Sequence, residues 1–484
     1  MARDGAGVGM EVLGRVVGEH ERESRPVLDL LWRYYRNELR GRGLELGGGY
    51  RLGQRWGLPA RLVGSRGAHL DDRMPGREIV IENDIAWRVH TMVDFMFGKP
   101  VRLTSTARSE ETRERVGAIL DAVWERSGGI ALLQDLGLLG HVYGHADMVL
   151  RVDGAMLSRL AGEGEDDPRI VSEAMRVEVV DPTRGVPVLN ERDYRTINAF
   201  VIREASGGAR ESAASGPAGR LSRRGASAGP AGWMEVLSAT WRGVHRDGVL
   251  VEEEELWWTG GRVPVVHVQN VPQPFRYSGL SEVEALVPLQ DELNTRLSDR
   301  ASRVTMQCFK MYLAKGIEGF ERMPVGPGQV WSTDNPSASV EAFGGDASSP
   351  SEEAHIKEIR DALDKASGVP PLATGVVQGR VGNLSSANAL KITLVGLLGK
   401  TERKRTTYGR GIAEMSRLVL TALDASGVLA TARTERGVRL EWPDPLPTDV
   451  LEETLAAKRK LELGVPGERV LDELGYESRD AGVA

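Results

Sequence analysis

Two stretches of the sequence carry residues whose types and spacing could support catalysis. The first, "VGLLGKTERK", contains Gly396, Gly399, Lys400 and Thr401, and resembles a phosphate-binding loop. Such a loop needs the spacing G-x4-G-K-T, with its first glycine at the position that Leu394 occupies, and a strand before the glycines. Here the stretch lies inside a continuous helical pattern. The spacing therefore argues against a nucleotide site.

The second stretch, "GHVYGHADMVLRVDG", offers His141, His145 and Asp147. Two histidines four residues apart can share a helix face and bind a metal ion. The same letters also describe a helix that ends at a glycine and passes into a strand, with both histidines near the surface. The glutamate of an H-E-x-x-H motif is missing. We therefore expect no metal site here.

The other reactive residue types lack a supporting pattern. Cys308 is the only cysteine, so CxxC pairs and an intrachain disulfide are ruled out. Asp71 and Asp72 have no spaced partner, and no G-x-S-x-G elbow is present. The sequence thus predicts no catalytic residue, no metal ligand and no cofactor, and we expect that the protein is not an enzyme.

Composition limits the class of protein further. The 484 residues are 41% hydrophobic and 27% charged, which is ordinary for soluble domains with a core. No run of about 18 apolar residues occurs, so no membrane span or membrane partner is expected. The formal net charge is −7. Proteins that hold nucleic acid by its phosphates usually carry a basic excess, so tight DNA binding is not expected.

The elements around these stretches are mostly helical, and one of them is unusual. Residues 279–306, "GLSEVEALVPLQDELNTRLSDRASRVTM", read as a long polar helix that opens with the capping box of Ser281 and Glu284. A single apolar seam runs along it, formed by Leu286, Leu289, Leu293 and Leu297. A second helix opens at Ser349 and Pro350, and its seam is Ile356, Ile359 and Leu363. Two such rods can pair antiparallel.

The remaining chain combines helices with a β-rich unit. Ile85, Val89, Met92, Val93 and Met96 follow one helix face. A strand begins at 146 and is expected to end in an Asp-Gly turn, and further strands lie between 177 and 270. Residues 206–232 are rich in Gly, Ala, Ser and Arg and are predicted to be a flexible insertion. A very long helix follows from 385, and 437–484 gives a strand and two short helices.

The order of these elements resembles the tailed-bacteriophage portal proteins, of the group that includes the SPP1-like portals. The resemblance rests on "NDIAWRVHTMVDFMFGKPVRL", on "GHADMVLRVDG", and on "SGVPPLATGVVQGRVGNLSSANALKITLVGL". Its most specific part is "GRVPVVHVQNVPQPFRYSGLSEVEALVPLQDELNTRLSDRA". Together these stretches cover roughly residues 26–425.

The resemblance implies an α+β portal fold assembled as a ring. It implies a wing (1–278), a stem helix (279–307), a small β-containing clip (308–348), a second stem helix (349–366), a tunnel loop (367–384), a long wing helix (385–427) and a short crown (428–484). The implied assembly is a homo-oligomeric ring, expected to be a dodecamer, at one capsid vertex of the virion. During assembly it would lie in the host cytoplasm.

The resemblance also implies what each part contacts. Double-stranded DNA would pass through the channel without sequence-specific contacts, and the clip would dock the packaging ATPase (terminase) and later the head–tail connector. Capsid and scaffolding proteins are further expected partners. The tunnel loop residues expected near DNA are Val376, Val377, Gln378, Gly379 and Arg380. An alternative for Arg380 is an ion pair with an acid of the adjacent subunit.

In the stem, the two seams are expected to pack in the ring, through Leu286, Leu289, Leu293, Leu297, Ile356, Ile359 and Leu363. The polar residues expected to pair between subunits are Asp291, Glu292, Asn294, Arg296, Asp299 and Arg300. Two alternatives to a portal remain. One is another structural virion or head-morphogenesis protein without a channel. The other is an enzyme that uses Lys400 or the His141/His145 pair.

Overall fold

The fold is mixed α and β, as the sequence predicts. The computed structural model describes residues 9–37, 80–204, 232–308, 311–316, 334–343, 349–374, 391–446 and 450–474. The predicted insertion, apart from Gly232, and the tunnel loop residues Val376 to Arg380 lie outside these ranges, as do Asp71 and Asp72. None of the described helices is long and apolar enough to cross a bilayer.

Helices account for most of the described chain. They are α1 (Met10–Glu19), α2 (Arg25–Arg36), α3 (Asp84–Phe97), α4 (Glu110–Arg126), α5 (Gly129–Tyr143), α6 (Gly154–Glu163), α7 (Pro168–Glu173), α8 (Val287–Cys308), α9 (Pro350–Ser367), α10 (Val395–Ser426), α11 (Val450–Glu462) and α12 (Gly467–Glu473). A π-helical turn, His20–Ser24, joins α1 to α2, and short 3-10 turns span Trp257–Thr259, Glu284–Leu286 and Pro371–Thr374.

The strands form four antiparallel sheets. They are β1 (Arg102–Ser105), β2 (His145–Val152), β3 (Met175–Val180), β4 (Gly185–Leu189), β5 (Ile197–Arg203), β6 (Trp233–Leu237), β7 (Trp241–Arg246), β8 (Val249–Glu255), β9 (Val265–Gln269), β10 (Met311–Lys315), β11 (Ser339–Phe343) and β12 (Val438–Glu441). The sheet orders are β3-β2-β9, β4-β5-β6-β7-β8, β1-β12 and β10-β11.

The main core lies between the three-stranded sheet and the helices α4, α5 and α10. Strand β2 is buried over six consecutive residues because it is central in its sheet and covered on both faces. Helix α10 places Ile412, Met415 and Val419 against this sheet. Helix α3 begins where the Asn83 side chain accepts a hydrogen bond from the Ala86 amide at 3.1 Å. Its predicted apolar face, Ile85 to Met96, is buried.

Two local expectations differ from the structure. The Asp153–Gly154 pair does not make a turn between strands. Instead, the Asp153 carboxylate accepts from the Met156 amide at 2.9 Å and caps helix α6. Ser281 accepts hydrogen bonds from the Val283 and Glu284 amides, at 3.0 and 3.3 Å, but it caps the 3-10 turn and α8 begins only at Val287. Asp and Ser favour caps and turns alike, so sequence alone does not separate the two.

The carboxy-terminal part divides into two. Strand β12 pairs with β1, and Trp442 packs against Phe97. Residues 428–446 therefore pack on the unit predicted as the wing. Helices α11 and α12 follow, and a crown formed by them stays a prediction.

Helices α8 and α9 form an antiparallel hairpin with the small sheet β10-β11 between them in sequence. Leu293 and Leu297 of α8 lie in one buried cluster with Ile356, Ile359 and Leu363 of α9. The same cluster takes in residues of α2, α3 and α5, which are Leu28, Leu31, Tyr34, Ile85, Val89, Val142 and Tyr143. One face of the hairpin is thus fixed to the helices that precede it in the chain.

Candidate functional site at the root of the helical hairpin

A ladder of polar side chains holds the first half of α8 against the extended residues before α3. Gln290, Asn294 and Ser298 follow one line of the helix, four residues apart. The Glu82 amide donates to Asn294 Oδ1 at 2.9 Å, and Gln290 Nε2 donates to the Glu82 carbonyl at 2.8 Å. The Val80 amide donates to Ser298 Oγ at 3.0 Å. Four helical residues rise about 6 Å and two extended residues about 6.6 Å, so the two spacings match.

This ladder changes the role expected for Asn294. Its side chain is fully buried within one chain, so it is not available to pair with another subunit. Asp291 also has a partner in its own chain, because Tyr34 Oη donates to its carboxylate at 2.9 Å. Burial raises the pKa of Asp291 to about 6. Glu292 and Arg296 pair along the helix at 2.7 Å, and Arg296 also reaches Asp299 at 3.3 Å.

Most apolar side chains of the two seams are also buried within a single chain. Leu286, Leu293 and Leu363 have no exposed surface in the single chain, and Leu297, Ile356 and Ile359 are each 5% exposed. Leu289 is only partly buried, against the same cluster. Ring formation can therefore add little burial to most of these side chains. They join the two rods of one chain to its helical body, and packing between subunits through them stays a prediction.

Charged side chains converge where the hairpin begins and ends. Glu282 lies just before α8 and forms ion pairs with Lys400 and with Lys404, the latter at 2.7 Å. Lys400 also donates to the carbonyl of Ser367, the last residue of α9, at 2.8 Å. The Glu282 amide donates to the His141 carbonyl at 2.8 Å. Glu282 thus links the start of the hairpin to α5 through its amide and to α10 through its carboxylate, and Lys400 links α10 to the end of the hairpin.

We call Glu282, Lys400 and Lys404 the root cluster, and this cluster is deeply buried. The side chains of Glu282 and Lys404 are 6% and 2% exposed. Burial lowers the pKa of Lys404 to about 8, although Glu282 opposes this shift. The two ammonium groups hold the pKa of Glu282 at about 2 in spite of its burial. Two cations against one carboxylate leave this buried group with an excess positive charge.

The root cluster explains the residues that resemble catalytic motifs. Lys400 lies inside helix α10 as an ion-pair partner, so no phosphate-binding loop forms there. His141 ends up beside the same cluster, with Nδ1 bonded to the Gly137 carbonyl at 2.5 Å. Because a carbonyl only accepts, Nδ1 carries the proton. Burial and the charge of Lys404 lower the pKa of His141 to about 3.

His145 belongs to a different cluster, because Gly144 ends α5 with a φ of 89° and turns the chain into β2. His145 packs beside His267 and Tyr277, with ring centroids 5.5 and 5.6 Å away. Both histidines of the pair are buried, not near the surface as expected. Among the described residues, no group of three His, Cys, Asp or Glu side chains is arranged to hold a metal.

Asp147 anchors that second cluster. His267 donates from Nδ1 to Asp147 at 2.8 Å and from Nε2 to the Tyr277 carbonyl at 2.7 Å. Both ring nitrogens of His267 therefore face acceptors. Tyr277 Oη donates to the same carboxylate at 2.6 Å. These bonds fix the loop that leads from β9 to the hairpin.

Two glycines allow the hairpin to start so close to the wing. A Cβ on Gly279 would lie 2.6 Å from the Gly144 carbonyl oxygen, and one on Gly144 would lie 2.5 Å from the Gly279 carbonyl oxygen. The Gly144 carbonyl also accepts from the Asn270 amide at 2.8 Å. The two backbones therefore touch directly, and neither position has room for a side chain.

Sequence reasoning missed Glu282 and Lys404. For Lys404 a signal exists, because it lies in the stripe of buried residues Leu397, Thr401, Tyr408 and Met415 along α10. A lysine in such a stripe indicates a buried partner of opposite charge. Nothing in the sequence points to Glu282 as that partner, since it lies 118 residues before Lys400.

A comparison with protein families finds one match over most of this chain. The model described as "Phage portal protein, SPP1 Gp6-like" matches residues 19–475. The chain belongs to the SPP1 Gp6-like family of phage portal proteins. Portal proteins are structural proteins, and this membership and the predicted α+β portal fold are confirmed.

Two solved structures that are similar to this chain come from gene transfer agent particles. The "Virion of native gene transfer agent (GTA) particle" is 13% identical, with a TM-score of 0.44. The "Neck of empty GTA particle computed with C6 symmetry" is 14% identical, with a TM-score of 0.47. Each match covers 81% of this chain and 89% of the other chain. A comparison with curated protein sequences finds no match.

The two buried histidines give this portal family chain a testable pH dependence. Their folded-state pKa values, about 3 for His141 and about 4 for His145, lie below the ordinary 6.5. Below pH 6.5 the unfolded chain binds protons that the folded chain does not, so stability is complete above 6.5 and falls as the pH drops. Between pH 6.5 and 5, each histidine should remove about 2 kcal/mol from the free energy of unfolding.

Denaturant unfolding at pH 7.5 and pH 5.0 measures this loss. His141→Asn keeps a donor toward the Gly137 carbonyl and removes the titration, so its loss on acidification should be smaller by about 2 kcal/mol. His90→Asn, at an exposed histidine that bonds the Tyr35 hydroxyl at 2.9 Å, is the matched control, and its loss of stability on acidification should equal that of the wild type. An unchanged pH dependence in His141→Asn would contradict the assignment.

Proposed function

We propose that this protein assembles as a portal ring that serves as the conduit for double-stranded DNA. The observation that carries the proposal is the α8–α9 hairpin, which presents a polar surface on a chain of the portal family. Its apolar seam faces the helices of its own chain, while Glu292, Arg296, His355 and Glu358 remain exposed or half-buried. In a ring, such rods face neighbours on their sides and a water-filled channel in front.

The domain assignment follows from this proposal. Residues 279–307 and 349–366 form the stem, 308–348 the clip with strands β10 and β11, and 1–278 most of the wing. Helix α10 crosses the wing, because it packs on the three-stranded sheet. The clip would dock the packaging ATPase and the head–tail connector, and capsid and scaffolding proteins would surround the wing. The ring would act in the virion after assembly in the host cytoplasm, without chemistry of its own.

Contacts between stems have a candidate location. A cleft of about 590 Å³ runs beside the hairpin and is lined by charged residues of both signs, among them Arg300, Glu353, Lys357 and Asp361. Within the described part of the chain, no ion pair involves Arg300 or Lys357. Both cations are therefore free to pair with a carboxylate on a neighbouring stem. Glu292 and Asp299, which lie about a quarter turn from Arg300 on α8, are candidate partners.

The negative net charge of the chain supports a role as a channel for DNA. Each phosphate contact that releases counterions adds affinity, which would hold DNA in place. A ring of chains with a net charge of −7 makes few such contacts and repels DNA from its walls. We propose that Arg380, with Val376, Val377, Gln378 and Gly379, lies nearest the DNA.

Negative-stain electron microscopy of the purified protein, averaged end-on, tests the proposal. We expect rings of about a dozen lobes around a hole wide enough for duplex DNA. The double variant Arg300→Glu/Lys357→Glu should reduce the fraction of rings, while Arg410→Glu, at an exposed arginine of α10, should not. Compact wild-type particles without a hole would contradict the conduit and favour a head-morphogenesis protein without a channel.

A further inference from the structure

Phe275 is the most exposed large apolar side chain of the described residues, at 86%, and its backbone is strained. Its φ of 64° lies in the left-handed region, which is unfavourable for a residue with a side chain. Strain of this kind persists only where the surroundings enforce it, and it concentrates at functional positions. The exposed ring therefore calls for a partner.

The loop around Phe275 is held rigidly. Tyr277 is anchored by Asp147, and Gln269 Nε2 donates to the carbonyls of Arg276 and Tyr277 at 2.8 and 2.9 Å. Tyr194, from the connection between β4 and β5, places its ring 6.3 Å from that of Phe275. A rigid exposed aromatic residue gives up little entropy on binding, which is typical of the central residues of protein interfaces.

Arginines lie next to Phe275 and Tyr194 in the sequence. Arg195 lies over the Tyr194 ring at 5.3 Å, and Arg192 and Arg276 are exposed nearby in sequence. None of the three arginines makes an ion pair with a described residue. We call Phe275, Tyr194, Arg192, Arg195 and Arg276 the aromatic knob. Its partner must offer apolar surface flanked by carboxylates.

Strand β8 offers such a surface. Val249, Leu250 and Val251 are 64%, 43% and 57% exposed, and the next four residues are glutamates. Glu252 and Glu254 pair with Arg242, whereas Glu253 and Glu255 form no ion pair with a described residue. The outer edge of β8 pairs with no described strand. Exposed apolar edges of this kind are prone to association.

The aromatic knob and the β8 edge lie at opposite edges of the five-stranded sheet. Tyr194 lies next to β4 and β5, at one end of the strand order, and β8 is the last strand at the other. Four strand spacings separate β4 from β8, which is about 19 Å. The two features cannot meet within one chain. Complementary patches at opposite edges give head-to-tail contacts, which form a ring when the rotation between successive copies closes and an open filament when it does not.

We propose that the aromatic knob of one copy docks on the β8 edge of the next copy of this chain. Phe275 would cover Val249 and Val251, and the arginines would pair with Glu253 and Glu255. This inference rests on the proposed ring. It assigns to the wing a contact between subunits that is separate from the stem.

The insertion is the competing occupant of the β8 edge, because it joins β5 to β6 and carries four arginines. Between 206 and 231 it contains a single large apolar residue, Leu221. It could supply charge to the glutamates but little apolar cover for Val249 to Val251. The knob supplies both, so a second copy is the better match.

Oxidative cross-linking tests the contact without removing it. In a Cys308→Ser background, the pair Phe275→Cys/Val251→Cys should give a ladder of covalent multimers on a non-reducing gel, with most of the monomer band lost. A disulfide needs Cα atoms within about 7 Å, so a bond within one chain is excluded. Each single-cysteine variant should stay monomeric, as should Phe275→Cys/Leu463→Cys, whose Leu463 is 84% exposed.

Charge reversal gives an independent measurement. Arg195→Glu/Arg276→Glu should lower the ring fraction severalfold, and adding Glu253→Arg/Glu255→Arg to the same chain should restore it.

If wild-type rings form but the double cysteine stays monomeric, the knob contact is wrong and the ring proposal stands. If neither rings nor a ladder form, both fail. Dimers from a single cysteine would indicate a symmetric contact and overturn the head-to-tail arrangement. Maleimide labelling of Val251→Cys that becomes faster only when 206–231 is deleted would assign the edge to the insertion.

Discussion

Replacing Glu282 with alanine is expected to lower the free energy of unfolding by about 3–5 kcal/mol, because it leaves buried charge without a partner. Lys404 would then face apolar surroundings, with Met92 Sδ 3.4 Å from its Nζ. Lys400 would lose one of its two contacts at the hairpin root. Denaturant unfolding at pH 7 measures the loss, and electron microscopy of the same preparation shows whether the hairpin still supports rings.

The lysines provide the control for this prediction. In the double variant Glu282→Gln/Lys404→Met only Lys400 keeps its charge, and Lys400 is less buried and still donates to the Ser367 carbonyl, so the double variant should be more stable than Glu282→Gln alone. Raising the pH to 10 should reduce the cost of Glu282→Gln, because the pKa of Lys404 is already lowered to about 8 and falls further without the carboxylate. A cost that is small at pH 7 and does not depend on Lys404 would show that the cluster is hydrated.

Replacing Gly279 with alanine is the second change with a large expected effect. Its new Cβ would lie 2.6 and 2.7 Å from the carbonyl oxygens of Gly144 and Val271. Both oxygens accept backbone hydrogen bonds, from the amides of Asn270 and Leu280 at 2.8 and 2.9 Å, so neither can move alone. We expect a loss of more than about 3 kcal/mol or failure to fold. Gly144→Ala should be at least as damaging, because its φ of 89° adds strain.

Gly399→Ala is the matched control. Gly399 lies in α10 with no atom within 4 Å of the added Cβ. Alanine in a helix interior is more favourable than glycine by about 0.5–1 kcal/mol, so this variant should be slightly more stable than the wild type. Thermal unfolding of the three variants compares them directly. Equal destabilisation at Gly279 and Gly399 would refute the close contact between the two backbones.

The sequence predicts the elements of this fold better than their contacts. The seam from Leu286 to Leu297 and the seam of α9 are visible because helices bury residues at fixed spacing. The face against which they pack, formed by α2, α3 and α5, is not visible, since it depends on how distant segments meet. This is why residues expected to face another subunit, such as Leu293 and Asn294, are already buried in their own chain.

The root cluster shows the same limit for charged residues. Lys400 belongs to a stretch that resembles a phosphate-binding loop, and His141 belongs to a pair of histidines with the spacing of metal ligands. Both lie beside Glu282, whose identity as a partner depends on three-dimensional proximity alone. The spacing of Gln290, Asn294 and Ser298 is the exception. Three polar residues four positions apart define a line on a helix, and that line could have been interpreted as a binding face for a backbone.

The fixed root has a mechanical consequence for the hairpin. Helix α8 has 22 residues and extends about 33 Å from a base that is held by Glu282, Lys400 and the two touching glycines. Its far end carries β10 and β11, which no described strand outside that pair joins. Because Gln290, Asn294 and Ser298 also hold the first half of α8, only about ten residues, roughly 15 Å, project beyond the fixed part of the hairpin. A tilt of about 5° in that projecting part would carry the strands only about 1.3 Å sideways, so the position of β10 and β11 is closely tied to that of the helical body.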